Sequence, residues 1–345
     1  MTVAAAITTF NRLESLKRCI EHVRAQTQPP DEIIVVNDHS TDGTDAWLAT
    51  QPDVVAVNQP ENLGCANSFH TVLRVAYERG HDYAWTMDDD VFAEPGALAA
   101  IVAAAEGLKA KGIRVGGLAP HQSNWDRDGI ERLPLALPST LYHALRYRYM
   151  SPEIPIEPGR TEPIEIASYS FCGNLFTREA MAAAGFPDPT FFYYGEDYDY
   201  AYRLMRLGFR NYLAPASVIF HAGSGAGADV GGMPKDAWRN YYMYRNQWTM
   251  VRRYRRLIGP GKALACHARI LMGVTRRLWW NLRDGNLRGC RMSLYGLWHG
   301  IRGKNGKTVS PPGSTPGRVE SARRLFRRGP TAAGGGLPAT ERPPR

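Results

Sequence analysis

No stretch of this 345-residue chain approaches about 18 uncharged apolar residues, so nothing in it reads as a membrane-spanning helix. It lacks both G-x-G-x-x-G after a strand and G-x-x-x-x-G-K-[ST], the fingerprints of the dinucleotide-binding fold and the P-loop. Cysteine is sparse: five residues (Cys19, Cys65, Cys172, Cys266, Cys290), an odd count with no C-x-x-C pair. That pattern excludes a disulfide scaffold and points to a reduced, intracellular setting. The first residues, Met1 to Ile7, have no basic start and read as a strand rather than a signal peptide. Acids are almost missing from residues 239–302, where fourteen lysines and arginines face a single acid, Asp284. Residues 303–345 hold nine basic and two acidic side chains. With a whole-chain net charge of +9, residues 1–238 are therefore net acidic.

What is present is a globular composition, 44% apolar and 22% charged, with strand and helix signals alternating through the first half. Apolar runs predict strands at 3–7, 32–36, 54–57, 83–87 and 115–118. Helical spacing predicts helices at 13–27, 43–49, 67–79 and 95–111. Strands interleaved with helices argue an α/β architecture, a Rossmann-like, mainly parallel sheet flanked by helices. Residues 124–165 have little periodicity and read as an excursion beside the site. Strand signals return at 164–176 and 212–220, with helices expected at 179–184 and 198–207. The expected division is a catalytic domain at 1–225, a glycine-rich loop at 226–237, a basic helical extension at 238–302, and a disordered basic tail at 303–345. The glycines of 223–232 suit a loop that closes over a nucleotide or a plain linker.

The chain is organised around Tyr83-Ala84-Trp85-Thr86-Met87-Asp88-Asp89-Asp90, an apolar strand with three carboxylates at its carboxyl end. Ligands collect there in open α/β sheets. Clustered like charges call for a cation, and alternation lets Asp88 and Asp90 share a face while Asp89 points elsewhere. A second strand end carries Asn37-Asp38-His39-Ser40-Thr41-Asp42, where Asp38 suits a base or ribose and Asp42 or Ser40 a helix cap.

Ile7-Thr8-Thr9-Phe10-Asn11-Arg12, Gln26-Thr27, residues 33–44, Glu61-Asn62-Leu63-Gly64 and the Asp triplet resemble, in order and spacing, the inverting GT-A glycosyltransferases of family 2. Phe171-Cys172-Gly173-Asn174, residues 191–203, Phe220-His221 and residues 241–252 resemble the bacterial rhamnosyl- and galactofuranosyltransferases within it. The resemblance implies a GT-A fold with a helical C-terminal extension, and a metal-assisted, inverting transfer of a sugar, galactofuranose or rhamnose, from a nucleotide-sugar donor. It implies that Thr9, Asn11, Arg12, Asp38, Asn62, Asp88 and Asp89 contact the donor. Asp90, Asp88 and His221 would hold Mn²⁺ or Mg²⁺, with imidazole leaning to Mn²⁺. Asp197 would be the general base, with Glu196 and Asp199 as second choices, all at the start of a helix where a carboxylate is stabilised. Gly173, Asn174, Tyr193 and Tyr194 would meet the acceptor.

The partners this implies are a UDP- or dTDP-linked donor, a glycan or polyprenyl-linked acceptor, an anionic membrane surface touched by the Trp- and Arg-rich second half, and further copies of the chain. Nucleic acid is not among them, since no such motif is present and the first half is acidic. The expected location is cytoplasmic, peripheral on the inner face of the membrane. A nucleotidyltransferase with a similar sheet would want a glycine-rich basic loop after the first strand, and residues 9–13 are not that. Two further rivals stand beside this reading. One is a glycan-binding scaffold of the same fold without catalysis, which has no need of Asp38, Asp88, Asp90, Asp197 and His221 together. The other is a glycosidase, which would need only a carboxylate pair.

Overall fold

The structure is a computed structural model. It describes residues 1–124, 159–222 and 236–310, together with two-residue strands at 135–136, 154–155, 228–229 and 233–234. The first strands are β1 (Val3–Thr9), β2 (Glu32–Asn37), β3 (Val54–Asn58) and β4 (Tyr83–Asp88). They are nearly continuous apolar runs because helices cover both faces of the parallel sheet they build. Further strands are β5 (Val91–Ala93), β6 (Val115–Asn124), β7 (Leu135–Ala136), β8 (Ile154–Pro155), β9 (Ile164–Ile166), β10 (Asn174–Thr177), β11 (Arg210–His221), β12 (Ala228–Asp229) and β13 (Met233–Pro234).

Among the described residues the main sheet runs β3-β2-β1-β4-β10-β6-β11-β5, with β9 also on β11. The expected single pattern over 164–176 is in fact two strands. Of these, β10 enters antiparallel between β4 and β6, so the sheet is mixed at its centre. One face is covered by α1 (Leu13–Arg24) and α4 (Ala97–Ala110), which bury Leu16, Ile20, Leu98 and Ile101. The other is covered by α3 (Cys65–Glu78), α5 (Arg178–Ala184) and α6 (Glu196–Arg206), through Phe69, Leu73, Met181 and Tyr200. The short α2 (Thr44–Leu48) follows β2.

The C-terminal helices are α7 (Ala237–Ile258), α8 (Pro260–Arg283) and α9 (Leu287–Arg302). The first of them is not an appendage: Tyr241, Tyr242, Tyr244, Arg245, Asn246 and Tyr254 are all buried. Residues 304–309, expected in a disordered tail, pack back on the molecule. The Gly306 N–H donates to the Thr190 carbonyl at 2.7 Å, and the Val309 carbonyl accepts from the Tyr242 hydroxyl at 2.7 Å. The rest of that tail, and the glycine stretch apart from the antiparallel β12–β13 pair, lie outside the described residues. Among the described residues no helix is long and apolar enough to cross a membrane.

Candidate active site

Sheet register brings the carboxyl ends of three strands level: Thr8 lies beside Val36 and Asp88, and Thr9 beside Asn37. The chain turns opposite ways on leaving β1 and β3, so the crevice between β1 and β4 is a topological switch point. The Asp triplet occupies it. The Thr8 hydroxyl donates to Asp88 Oδ1 at 3.0 Å and the Thr9 hydroxyl to Asp89 Oδ2 at 2.7 Å. Asp89 does not point away from its neighbours as alternation suggested. The chain leaves β4 in a turn, and Arg12 Nη1 bridges Asp89 Oδ1 at 3.1 Å and Asp90 Oδ2 at 2.6 Å. The guanidinium expected to line a nucleotide therefore serves as counter-charge to the cluster.

His221 arrives from the other side of the sheet. Pairing of β11 with β5 sets it opposite Val91, and its Nε2 sits 3.2 Å from Asp90 Oδ1. Electrostatics separate the three acids. Burial tends to raise Asp90, but hydrogen bonds from His221 and Arg12 outweigh it and hold the carboxyl down at about 2. Burial pushes Asp89 up to about 6 despite Arg12 and Thr9. Burial and then the charges of Asp90 and Asp89 push Asp88 upward. Burial works against the cationic form of His221, yet the bond to Asp90 raises it. Asp90 and His221 thus form a carboxylate–imidazole pair, and among the described residues no group of three or more His, Cys, Asp and Glu side chains gathers as a metal cage.

Asp38 turns inward. Its two carboxylate oxygens accept the backbone N–H groups of Leu63 at 2.8 Å and Gly64 at 2.9 Å, fixing the 61–64 loop across the crevice. Burial lifts its pKa to about 7 in spite of these bonds. On that loop Asn62 Oδ1 is buried with no partner among the described residues, and the Asn62 carbonyl accepts from Lys307 Nζ at 2.7 Å. Asn11, with φ of 53°, accepts the Thr41 N–H at 2.7 Å and donates its own N–H to Ser40 Oγ at 2.9 Å. Asp42 accepts the Leu13 N–H at 2.9 Å, so it tethers the start of α1 as well as bonding Thr44 at the start of α2.

Glu196 and Asp197, expected just before a helix, are the first two residues of α6. Glu196 is buried against Cys65, while Asp197 is half-buried and accepts the Tyr198 N–H at 2.7 Å. The Cys65 and Cys172 thiols, pushed up mainly by burial, both feel the charges of Asp88 and Asp197, which puts the α6 start and the triplet within electrostatic reach of the same two thiols. Asp199 is a different group: it bonds Arg253 at 2.6 Å, Arg203 at 3.2 Å and the Tyr254 hydroxyl at 2.9 Å, and is fully buried. Those contacts remove it as a candidate base.

Of the four aromatic residues before α6, Phe191 and Phe192 are core, while Tyr193 and Tyr194 are half-buried. The Tyr193 and Trp238 ring centroids lie 4.9 Å apart. Gly173 does not open space for a ligand; a Cβ there would lie 2.9 Å from Pro120, and φ is 74°. Asn174 next to it is fully buried, and neither polar atom of its side chain has a partner among the described residues.

Sequence reasoning missed the clamp that holds this rim. Phe192 and Tyr194 have φ of 63° and 66°, a strained path for residues with side chains. Asn246 Nδ2 donates to the carbonyls of Phe191, Tyr193 and Tyr194 at 3.1, 2.8 and 2.6 Å. Arg245 Nη2 donates to Phe191 at 2.6 Å and Nη1 to Gly306. Tyr241 to Arg252 carried the resemblance quoted above, and an Arg-Asn pair inside an aromatic helix was the one available signal.

The family model described as Glycosyl transferase family 2 matches residues 5–180. Galactofuranosyltransferase GlfT1 of Mycobacterium tuberculosis (strain ATCC 25618 / H37Rv) is 30% identical over 257 residues, 71% of this chain and 81% of the relative. GlfT1 of Mycolicibacterium smegmatis is 24% identical over 256 residues, again 71% and 81%. Among solved structures, GalNAc-T7 with UDP, GalNAc and Mn²⁺ matches with a TM-score of 0.51 at 16% identity, over 71% of this chain and 47% of that chain, a likeness of fold.

Proposed function

The chain belongs to glycosyl transferase family 2 and is a glycosyltransferase, and on that premise we propose that it moves galactofuranose from a UDP-linked donor to a polyprenyl-linked glycan, with inversion. The observation that carries the reading is the switch-point crevice where Thr9, Asp38, Asp88, Asp89, Asp90 and His221 come together. Similarity to GlfT1 favours galactofuranose over rhamnose.

Asp90 and His221, with Asp88 beside them, would hold the divalent ion. When bound, Mn²⁺ or Mg²⁺ offsets the negative charge that builds on the departing diphosphate. Arg12 keeps Asp89 and Asp90 ionised and in place. Asp38 positions the 61–64 loop against the nucleotide, and Asn62 Oδ1 is an acceptor awaiting a donor there. Asp197 takes the proton from the attacking acceptor hydroxyl as its oxygen bonds the anomeric carbon and the bond to phosphate breaks; attack opposite the leaving group inverts that carbon. Glu196 buttresses the base from the buried side. Asn174, Tyr193 and Tyr194 form the acceptor rim. We include α7 and residues 304–309 in the catalytic unit, because they hold that rim.

Calorimetric titration of UDP and dTDP, with and without Mn²⁺, tests the donor side. UDP should bind with Mn²⁺ and weaken about tenfold or more in Asp90→Ala; binding indifferent to metal and to this variant would sink the reading. Asp197→Asn should lower turnover by about 10² to 10⁴ while leaving Mn²⁺-dependent UDP binding unchanged.

A further inference from the structure

We propose that α8 and α9 form a docking face for an anionic lipid bilayer, on which the molecule lies without crossing it. Fourteen large hydrophobic side chains are exposed among the described residues, and twelve of them fall between Leu257 and Ile301. The fold does not need them. On its inner side α8 buries Ala263, Cys266, Ile270 and Val274 against Met243, Tyr244, Val251 and Ile258. The inner side of α9 is small, and a Cβ on Gly296 would come within 2.3 Å of the Tyr241 carbonyl oxygen. The outer sides are apolar a second time.

At about 100° per residue, Leu264, Leu271, Met272, Trp279 and Leu282 fall within roughly a quarter of the α8 circumference. Leu264 is 71% exposed and Trp279 58%. Beside this stripe Lys262, Arg269, Arg276 and Arg283 recur every seventh residue and so form one basic edge. On α9, Leu287, Leu294, Trp298 and Ile301 make a comparable stripe flanked by Arg288, Arg291 and Arg302. Arginine and aromatic are paired on the surface: the Arg283 guanidinium lies 4.1 Å from the Trp280 ring centre and that of Arg302 lies 4.3 Å from Trp298.

An apolar stripe bordered by arginine and tryptophan matches the boundary between acyl chains and anionic headgroups. The charge split of the chain supports the same partner, since a basic face and an acidic catalytic half orient the molecule on a negative surface. A second copy on this face would crowd the arginines of both copies around one apolar contact, an unfavourable arrangement. The proposal does not depend on which sugar is moved, or on catalysis at all.

The test is co-sedimentation of the full chain with vesicles of phosphatidylcholine alone and with about one third phosphatidylglycerol. The chain should pellet with the anionic vesicles about tenfold or more tightly than with the neutral ones, and high salt should weaken this. Arg276→Glu/Arg283→Glu and Trp279→Ser/Trp298→Ser should each cost about tenfold or more, with thermal melts and Mn²⁺-dependent UDP binding as in the parent. Both leave residues 311–345 intact, so a contribution from that basic segment cannot mimic the result. Should the tryptophan pair fail to fold, the arginine pair and the salt titration on the parent chain decide alone. No preference for anionic vesicles, or binding indifferent to the folded variants, would overturn the proposal. So would a concentration-dependent dimer in light scattering that Trp279→Ser/Trp298→Ser disrupts, because it would give the face to a second copy.

Discussion

Two consecutive helices, α7 with 22 residues and α8 with 24, both carry arginines and large aromatic side chains, α7 the more of each, and come to rest in opposite environments. In α7 a guanidinium is fully buried, and the tyrosines face inward. In α8 two tryptophans and most of the basic residues face outward. What separates them is the supply of acceptors. The strained segment at 190–194 and the returning residues 306–308 turn carbonyls and a hydroxyl toward α7, and these satisfy Arg245 without a carboxylate partner. Burying a charge is tolerable only with such a set of bonds. Most of the basic residues of α8 stay in water instead, and its inner face is mainly apolar, Ala263, Cys266, Ile270 and Val274, with Arg277 and Asn281 buried toward its end.

The sharpest way to break this comparison is one substitution made on both helices. Arg245→Met leaves the carbonyls of Thr190, Phe191 and Gly306 buried without these donors and should cost about 3 to 5 kcal/mol in urea unfolding, with turnover falling as the acceptor rim loosens. Arg276→Met, on the exposed basic edge, should stay within about 0.5 kcal/mol. Equal costs would mean that the acceptor array around Arg245 does nothing for α7.

A second intervention probes what the clamped segment touches. Gly64 has φ of 85°, and a Cβ there would lie 2.4 Å from the Phe192 carbonyl oxygen. Gly64→Ala should cost about 2 to 3 kcal/mol, combining a left-handed backbone penalty with a backbone clash that no side-chain rotation relieves. A thermal melt of the variant with no shift would show that the 61–64 loop and the clamp are mechanically separate.

The mildest effect is a pH dependence at Asp38. Its folded pKa, about 7, lies above the ordinary carboxylate value, so the folded chain holds a proton that the unfolded chain has released. That contribution is fully present below about pH 4 and is lost as pH rises through about 7. Between about pH 6 and pH 8 the parent should lose about 1 to 2 kcal/mol relative to Asp38→Asn, whatever the variant's absolute stability. Parallel stability curves would refute it.

The first four strands were legible because buried parallel strands write themselves as unbroken apolar runs, and the expected positions fall within a residue or two of 3–9, 32–37, 54–58 and 83–88. The insertion of β10 was not, since nothing local in Asn174-Leu175-Phe176-Thr177 says which neighbours it will take or in which direction. At the candidate site, the residue types were readable from strand ends and helix starts, but their allegiances were not. Asp199 and Asp197 are alike in sequence; only the folded contacts of Arg203, Arg253 and Tyr254 set Asp199 apart. Arg12 is seventy-seven residues from Asp89, and a bond over that distance leaves no local trace.

The contact between Lys307 and Asn62 spans 245 positions of sequence. A ribosome makes the 61–64 loop well before the lysine that fastens it. The nascent chain therefore carries the strands of the sheet long before it carries the lysine that fastens the 61–64 loop.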